Sequence, residues 1–154
     1  RCNIAFVNDD ETESEQHKLN GYRRAIQECG LPERCYRAER SIEGGQFATT
    51  RILRQDPRTD AIVFTEDTTA VGGLHTLLIT GKRIPEDVAV IGCNNSVYCT
   101  ICYPQLSSID NSLHETGRTA AQQMIRLLNH EPDVEKTVCL PCRLVLRDTT
   151  PPMV

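Results

Sequence analysis

Three short apolar runs, each followed by a polar loop and an amphipathic stretch, constrain this chain more than any other feature. "NIAFV" (3–7), "DAIVFT" (60–65) and "DVAVIG" (87–92) are apolar at nearly every position, so as strands they need cover on both faces. Between them lie helical patterns. Leu19, Tyr22, Ile26 and Cys29 recur at helical spacing before Gly30 and Pro32 stop the run. A weaker helix runs through "EGGQFATTRILRQ", with Phe47, Ala48, Ile52 and Leu53 on its apolar side. Ala70, Val71, Leu74, Leu77 and Leu78 mark another, with Asp67 placed to cap its start and Gly81 its end.

Strands alternating with helices predict an α/β fold: a parallel sheet with helices on both faces. Helices are expected near 15–29, 45–55, 67–80 and 112–128, and the runs at 3–7, 61–65 and 87–92 as neighbours in one sheet. After an irregular stretch at 93–106, "LSSID" is a short extended piece. Ser112 and Glu115 have the spacing of a capping box. Leu113, Gly117, Ala120, Ala121, Met124, Leu127 and Leu128 would form the buried face of the helix that follows. Two β-like runs, "KTVCL" and "RLVLR", close the pattern, separated by Pro141. The 154 residues suffice for one domain with its own core.

Ligands in open α/β sheets bind beyond the carboxyl ends of the strands. Here those ends read Asn8-Asp9, Glu66-Asp67 and Cys93-Asn94-Asn95, polar in all three cases. A cleft looks like this, and so does any strand-to-helix loop. Net charge is −4, and no cluster of Lys and Arg offers a phosphate-binding surface, so this segment is not expected to grip nucleic acid unaided. No apolar run has the length of a membrane span or of a signal peptide's core, and a reduced, cytoplasmic setting is expected. The chain opens almost directly on a strand, which suggests a truncated start.

Catalytic constellations are missing. His17, His75, His114 and His130 fall in helices or a loop, none beside a Ser or Cys motif, and no Gly-rich phosphate loop occurs. An enzyme is not expected, and no cofactor is implied. The eight cysteines are too few for a disulfide scaffold. Cys99/Cys102 and Cys139/Cys142 form two Cys-x-x-Cys units. A whole predicted helix separates them, unlike the pairs of a zinc module, so structural thiols are expected rather than a metal or redox centre.

Five stretches taken in order are similar to the LacI/GalR (lactose-repressor) family of transcriptional regulators: "KLNGYRRAIQECGL", "DAIVFTEDTTAVGGLHTLLITGKRIPEDVAVIGCNN", "YPQLSSID", "ETGRTAAQQMIRLLNHEP" and "LPCRLVLRDTT". The resemblance implies a subdomain of the periplasmic binding protein-like I type. On that reading residues 1–154 are a partial effector-binding domain, the C-terminal subdomain plus a crossover helix at 112–129. The DNA-binding headpiece is absent, and DNA is contacted only through it.

The resemblance also implies a small-molecule effector, often a sugar, held by Lys18, Glu66 and Asn94, with Ser41 at a further family ligand position. All three principal side chains depart from the family's usual Arg, Asn and Asp. Lysine supplies a point charge in place of a planar fork, and Asn94 can donate where an ionised Asp only accepts. Their charges sum to zero, which suits a neutral or zwitterionic ligand better than an anion. A homodimer is implied through Val71, Leu74, His75, Leu78, Tyr98 and Ile101. The alternative is a sugar-transport solute-binding protein of the same fold.

Overall fold

The computed structural model describes residues 1–9 and 12–152. Its elements run in chain order β1 (Ile4–Asn8), α1 (Glu13–Glu28), β2 (Cys35–Arg37), α2 (Ile42–Gln55), β3 (Ala61–Phe64) and α3 (Asp67–Ile79). They continue as β4 (Ala89–Cys93), α4 (Tyr98–Ile101), β5 (Ser107–Asp110), α5 (Leu113–Leu128) and β6 (Arg143–Val145). One six-stranded sheet carries them in the order β2-β1-β3-β4-β5-β6. All pairs are parallel except β5 with β6. The expected trio of neighbours is therefore found, as β1, β3 and β4.

Strand alternation divides the core into two layers. Ala5 and Val7 of β1, with Ile62 and Phe64 of β3, face one side, where Ala48 and Ile52 of α2 and Ala70 and Leu77 of α3 pack on them. Phe6 of β1 faces the other side and meets Leu19, Tyr22 and Ile26 of α1. The Phe6 and Tyr22 rings stack with centroids 4.9 Å apart. Because side chains alternate along a strand, adjacent residues of one strand anchor opposite helical layers.

α2 and α3 cross backbone to backbone. A Cβ added at Gly45 would lie 2.0 Å from the Thr69 carbonyl oxygen, and one at Gly72 would lie 1.9 Å from that of Ile42. Only glycine permits so close an approach. The "GG" pairs in the two helical stretches are thus a packing device that periodicity alone does not reveal.

Several expectations fail locally. Phe47, assigned to the apolar side of α2, is 70% exposed, and Cys29 is exposed too. Asp67 does not cap α3. The N-cap residue is Glu66, without a side-chain cap bond, and the Asp67 carboxylate points instead to Ser96 and Ser108. Ser112 makes no cap bond to α5 either, and the capping box is not formed. Its backbone is left-handed, at φ 53°, and its N–H donates to Asp110 Oδ1 at 2.8 Å. The chain must turn sharply on leaving β5, and that Asx-type turn displaces the cap.

"KTVCL" forms no strand, while β2 and α4 were not expected. No residue of α5 is buried: Leu113, Met124, Leu127 and Leu128 are all exposed. Its apolar stripe has the right period but stays largely exposed, with Val134, Val138 and Leu140 bordering only the part near Ala120 and Leu127.

Candidate effector cleft

Strand order turns back between β1 and β3, since the chain goes from β1 outward to β2 and then across to β3 on β1's other side. Loops leaving such a pair diverge and leave a crevice at the carboxyl ends of the strands. Residues following β1, β3 and β4 meet there.

Lys18 comes from the first turns of α1. Its ammonium donates to Glu15 Oε1 at 2.5 Å and to the Thr65 carbonyl oxygen, just past β3, at 3.1 Å. Burial works against the Lys18 charge. The Glu15 hydrogen bond and the nearby Cys93, Glu15 and Glu66 outweigh it, so its pKa lies above the ordinary lysine value. Glu15 is itself buried, and its second oxygen, Oε2, has no hydrogen-bond partner.

Glu66 follows β3 and Asn94 follows β4. Asn94 Nδ2 donates to Glu66 Oε2 at 2.7 Å. Asn94 and Asn95 both have left-handed backbones, at φ 98° and 48°, a conformation that Asn tolerates better than most residues. That pair of turns ends β4 and swings the Asn94 carboxamide toward Glu66. On its other side Asn94 Oδ1 accepts from Asn111 Nδ2 at 2.8 Å, and the same Nδ2 lies 3.3 Å from the Cys93 thiol. Burial raises the Glu66 carboxyl above its usual range, against the pull of Arg40, Lys18 and the Asn94 bond.

Lys18, Glu66 and Asn94 are thus brought together. Ser41 stands at the neighbouring loop as the N-cap of α2, where its hydroxyl accepts from Gly44 N–H at 2.9 Å. Arg40 beside it was missed by sequence reasoning. Its Nε donates to Asp9 Oδ2 at 2.6 Å, and its Nη1 approaches Glu66 Oε1 at 3.8 Å. Glu15 and Asn111 were missed too. An acid in a helix's first turn looks like a dipole partner, and an asparagine after a strand looks like a turn residue.

Of the residues assigned to a two-fold contact, Leu74 is 2% exposed and belongs to the core, and Val71 is half-buried. His75 is exposed and bonds through its ring to Gln46 at 3.0 Å. Leu78, Tyr98 and Ile101 are exposed, as are the neighbouring Ile79 and Val97. Cys99 and Cys102, on and just after α4, pack in or against the main core. Burial pushes the Cys99 thiol up to about 11. Cys139 and Cys142 are exposed, and the Cys142 thiol donates to Asn111 Oδ1 at 3.4 Å.

A family model described as the periplasmic binding protein-like domain matches residues 2–150. The chain is 31% identical over 153 residues to catabolite control protein A of Priestia megaterium, covering 96% of this chain and 46% of that protein. A solved LacI family transcriptional regulator from Bifidobacterium animalis subsp. lactis superposes with a TM-score of 0.91 at 30% identity, covering 99% of this chain and 56% of the other. One from Arthrobacter sp. FB24, in complex with lactose, gives 0.86 at 31% identity, covering 98% and 59%. This chain belongs to the LacI/GalR family of transcriptional regulators, in its periplasmic binding protein-like domain. It spans about half the length of the curated relatives it matches, and those relatives are regulators rather than enzymes.

Proposed function

We propose that the chain is the ligand-sensing part of a LacI-family transcriptional regulator, residues 1–154 supplying the C-terminal subdomain and the crossover helix. A small polar effector, a sugar or related metabolite, binds at the carboxyl ends of β1, β3 and β4 against Lys18, Glu66 and Asn94. Binding alters how a helix-turn-helix elsewhere in the longer protein engages DNA. The observation that carries this reading is the meeting of those three side chains, distant in sequence, at the crevice where the strand order reverses. Ser41, already engaged as a cap, borders the site through Arg40.

The exposed apolar stripe of α5 fits a helix that packs on the remainder of such a regulator. The exposed Leu78, Tyr98 and Ile101, with His75, fit a self-complementary two-fold contact, and cytoplasmic residence goes with the same role.

The test uses the full-length regulator. Small polar metabolites are screened by thermal shift, and any binder is measured by calorimetry against Lys18→Ala, Glu66→Ala and Asn94→Ala. Lys18→Ala should weaken binding at least about tenfold, as loss of a ligand-bonded buried charge does. Unchanged affinity in all three variants would place the site elsewhere.

A further inference from the structure

Among the described residues, four carboxylates converge on the carboxyl ends of β1, β3 and β4: Asp9, Glu15, Glu66 and Asp67. Lys18 and Arg40 are the cations bonded to them there. How each charge is already used decides what remains for a ligand.

Asp67 is spent internally, its oxygens accepting from Ser96 N–H and Ser108 Oγ, each at 2.7 Å. Glu15 holds the Lys18 ammonium at 2.5 Å, so the lysine charge is bonded within its own helix and acts on Glu66 only from a distance. Arg40 sits on Asp9 at 2.6 Å and reaches Glu66 only at 3.8 Å, beyond a hydrogen bond. The closest donor to Glu66 is the neutral carboxamide of Asn94. Two further acceptors, Glu15 Oε2 and Asp9 Oδ1, are buried without a partner. Among the described residues, the zero balance of Lys18, Glu66 and Asn94 taken alone therefore gives way to an acidic one once Glu15, Asp9 and Arg40 are counted beside them.

We infer that the effector carries a positive charge, a protonated amino or amidino group, and that Glu66 is the residue that selects it. The inference rests on the reading of this crevice as the effector site. A cleft that closes over a neutral ligand would bury the Glu66 carboxylate with only a shared counter-charge, Arg40 being closer to Asp9 and Lys18 to Glu15, which is costly in a medium poorer than water. An anionic ligand would add repulsion. A cation relieves both, and its N–H groups match the surplus of acceptors. Burial and the nearby Asp9 displace the Glu66 pKa upward by more than Arg40, Lys18 and the Asn94 bond draw it down.

Protonating Glu66 should therefore weaken binding as pH falls. The decline should begin above the ordinary glutamic acid value of 4.5. Among the described residues, the titratable and charged groups around it are Lys18 and Glu15 on α1, Asp9 after β1, Arg40 before α2, Asp67 on α3 and Cys93 on β4.

The experiment takes the full-length regulator and matched probes: glucosamine, glucose and N-acetylglucosamine; galactosamine, galactose and N-acetylgalactosamine; and glucose 6-phosphate. Binding is read by calorimetry in the wild type and in Glu66→Gln, which keeps shape and removes charge, with folding of the variant checked by circular dichroism. An amino sugar should bind at least tenfold tighter than its hydroxyl and N-acetyl counterparts, and Glu66→Gln should reduce that preference below twofold. Equal binding of the uncharged members, or tighter binding of the phosphate, overturns charge selection and leaves the effector site standing. A preference for the amine that survives in Glu66→Gln overturns the role given to Glu66. Binding of no probe overturns the inference for these ligands, while the alanine series on any other binder still tests the site itself.

Discussion

The region from β1 to β4 and the region around α5 are built from similar residues yet end in opposite states. In the first, apolar side chains alternate between two helical layers, and Ile52, Ile62 and Leu77 are wholly buried. In the second, α5 has an equally periodic apolar stripe with no buried residue, Leu128 being 70% exposed. The contrast teaches that period establishes a helix and a face, while burial depends on what the rest of the molecule brings to that face. One region completes itself, and the other presents a surface for something further.

The largest expected effect is at the helix crossing. Gly72→Val sets a side chain against the Ile42 carbonyl oxygen, a backbone atom that yields only if the helices separate. A loss of about 4 kcal/mol or more is expected in urea denaturation. A loss under 1 kcal/mol would mean the two helices are not seated so closely. Next comes Ile52→Ala, which opens a cavity in the closed core and should cost about 3 kcal/mol.

Lys18→Ala should cost about 1–3 kcal/mol, by leaving the Glu15 carboxylate buried without its cation. The Lys18 pKa is raised on folding, so its contribution is fully present below the ordinary lysine value of 10.5 and is lost as pH climbs past its folded value. Wild type and variant should therefore converge only in strong alkali, which pH-dependent melting curves would show.

In the α5 region the same chemistry should matter far less. Leu128→Ala should change the stability of this chain by no more than about 0.5 kcal/mol. If it cost as much as Ile52→Ala, the stripe would be covered within the chain and the contrast would collapse. Repeating Leu128→Ala in the full-length regulator should raise its cost if the stripe packs there. Smallest of all is Asp87→Asn at the exposed pair with Arg83. The Arg83 side chain and N–H hold the Asp87 carboxyl down to about 2. Any stability from it is present above the ordinary aspartate range and fades as pH falls toward 2. Near neutral pH the variant should lose only a slight amount of Tm, as exposed pairs do, and the difference should vanish as pH falls toward 2.

How far the fold could be read in advance follows the same division. β1, β3 and β4 were visible because they are buried on both faces and so are apolar throughout. β2 has three residues and one half-buried side chain, too little to register as a pattern. Lys18, Glu66 and Asn94 came through resemblance and strand-end position. Glu15 and Arg40 did not, because a charged residue near a helix start looks the same in sequence whether it faces water or a buried partner. Only the tertiary approach of α1 to the end of β3 separates those cases. The failure of the Ser112 cap has a similar source, since Asp110 claims its N–H from the strand side.

The close backbone approaches at the glycines of α2 and α3 would leave a distinctive mark in a comprehensive substitution library. At Ile52 or Phe64 fitness should fall as the replacement shrinks, so valine or leucine outperforms alanine, and alanine outperforms glycine. At Gly44, Gly45 and Gly72, where an added Cβ would lie about 2 Å from the carbonyl oxygens of Glu39, Thr69 and Ile42, the ranking by size disappears. Alanine should be rejected there almost as firmly as tryptophan, because the first carbon already occupies the space of a neighbouring backbone.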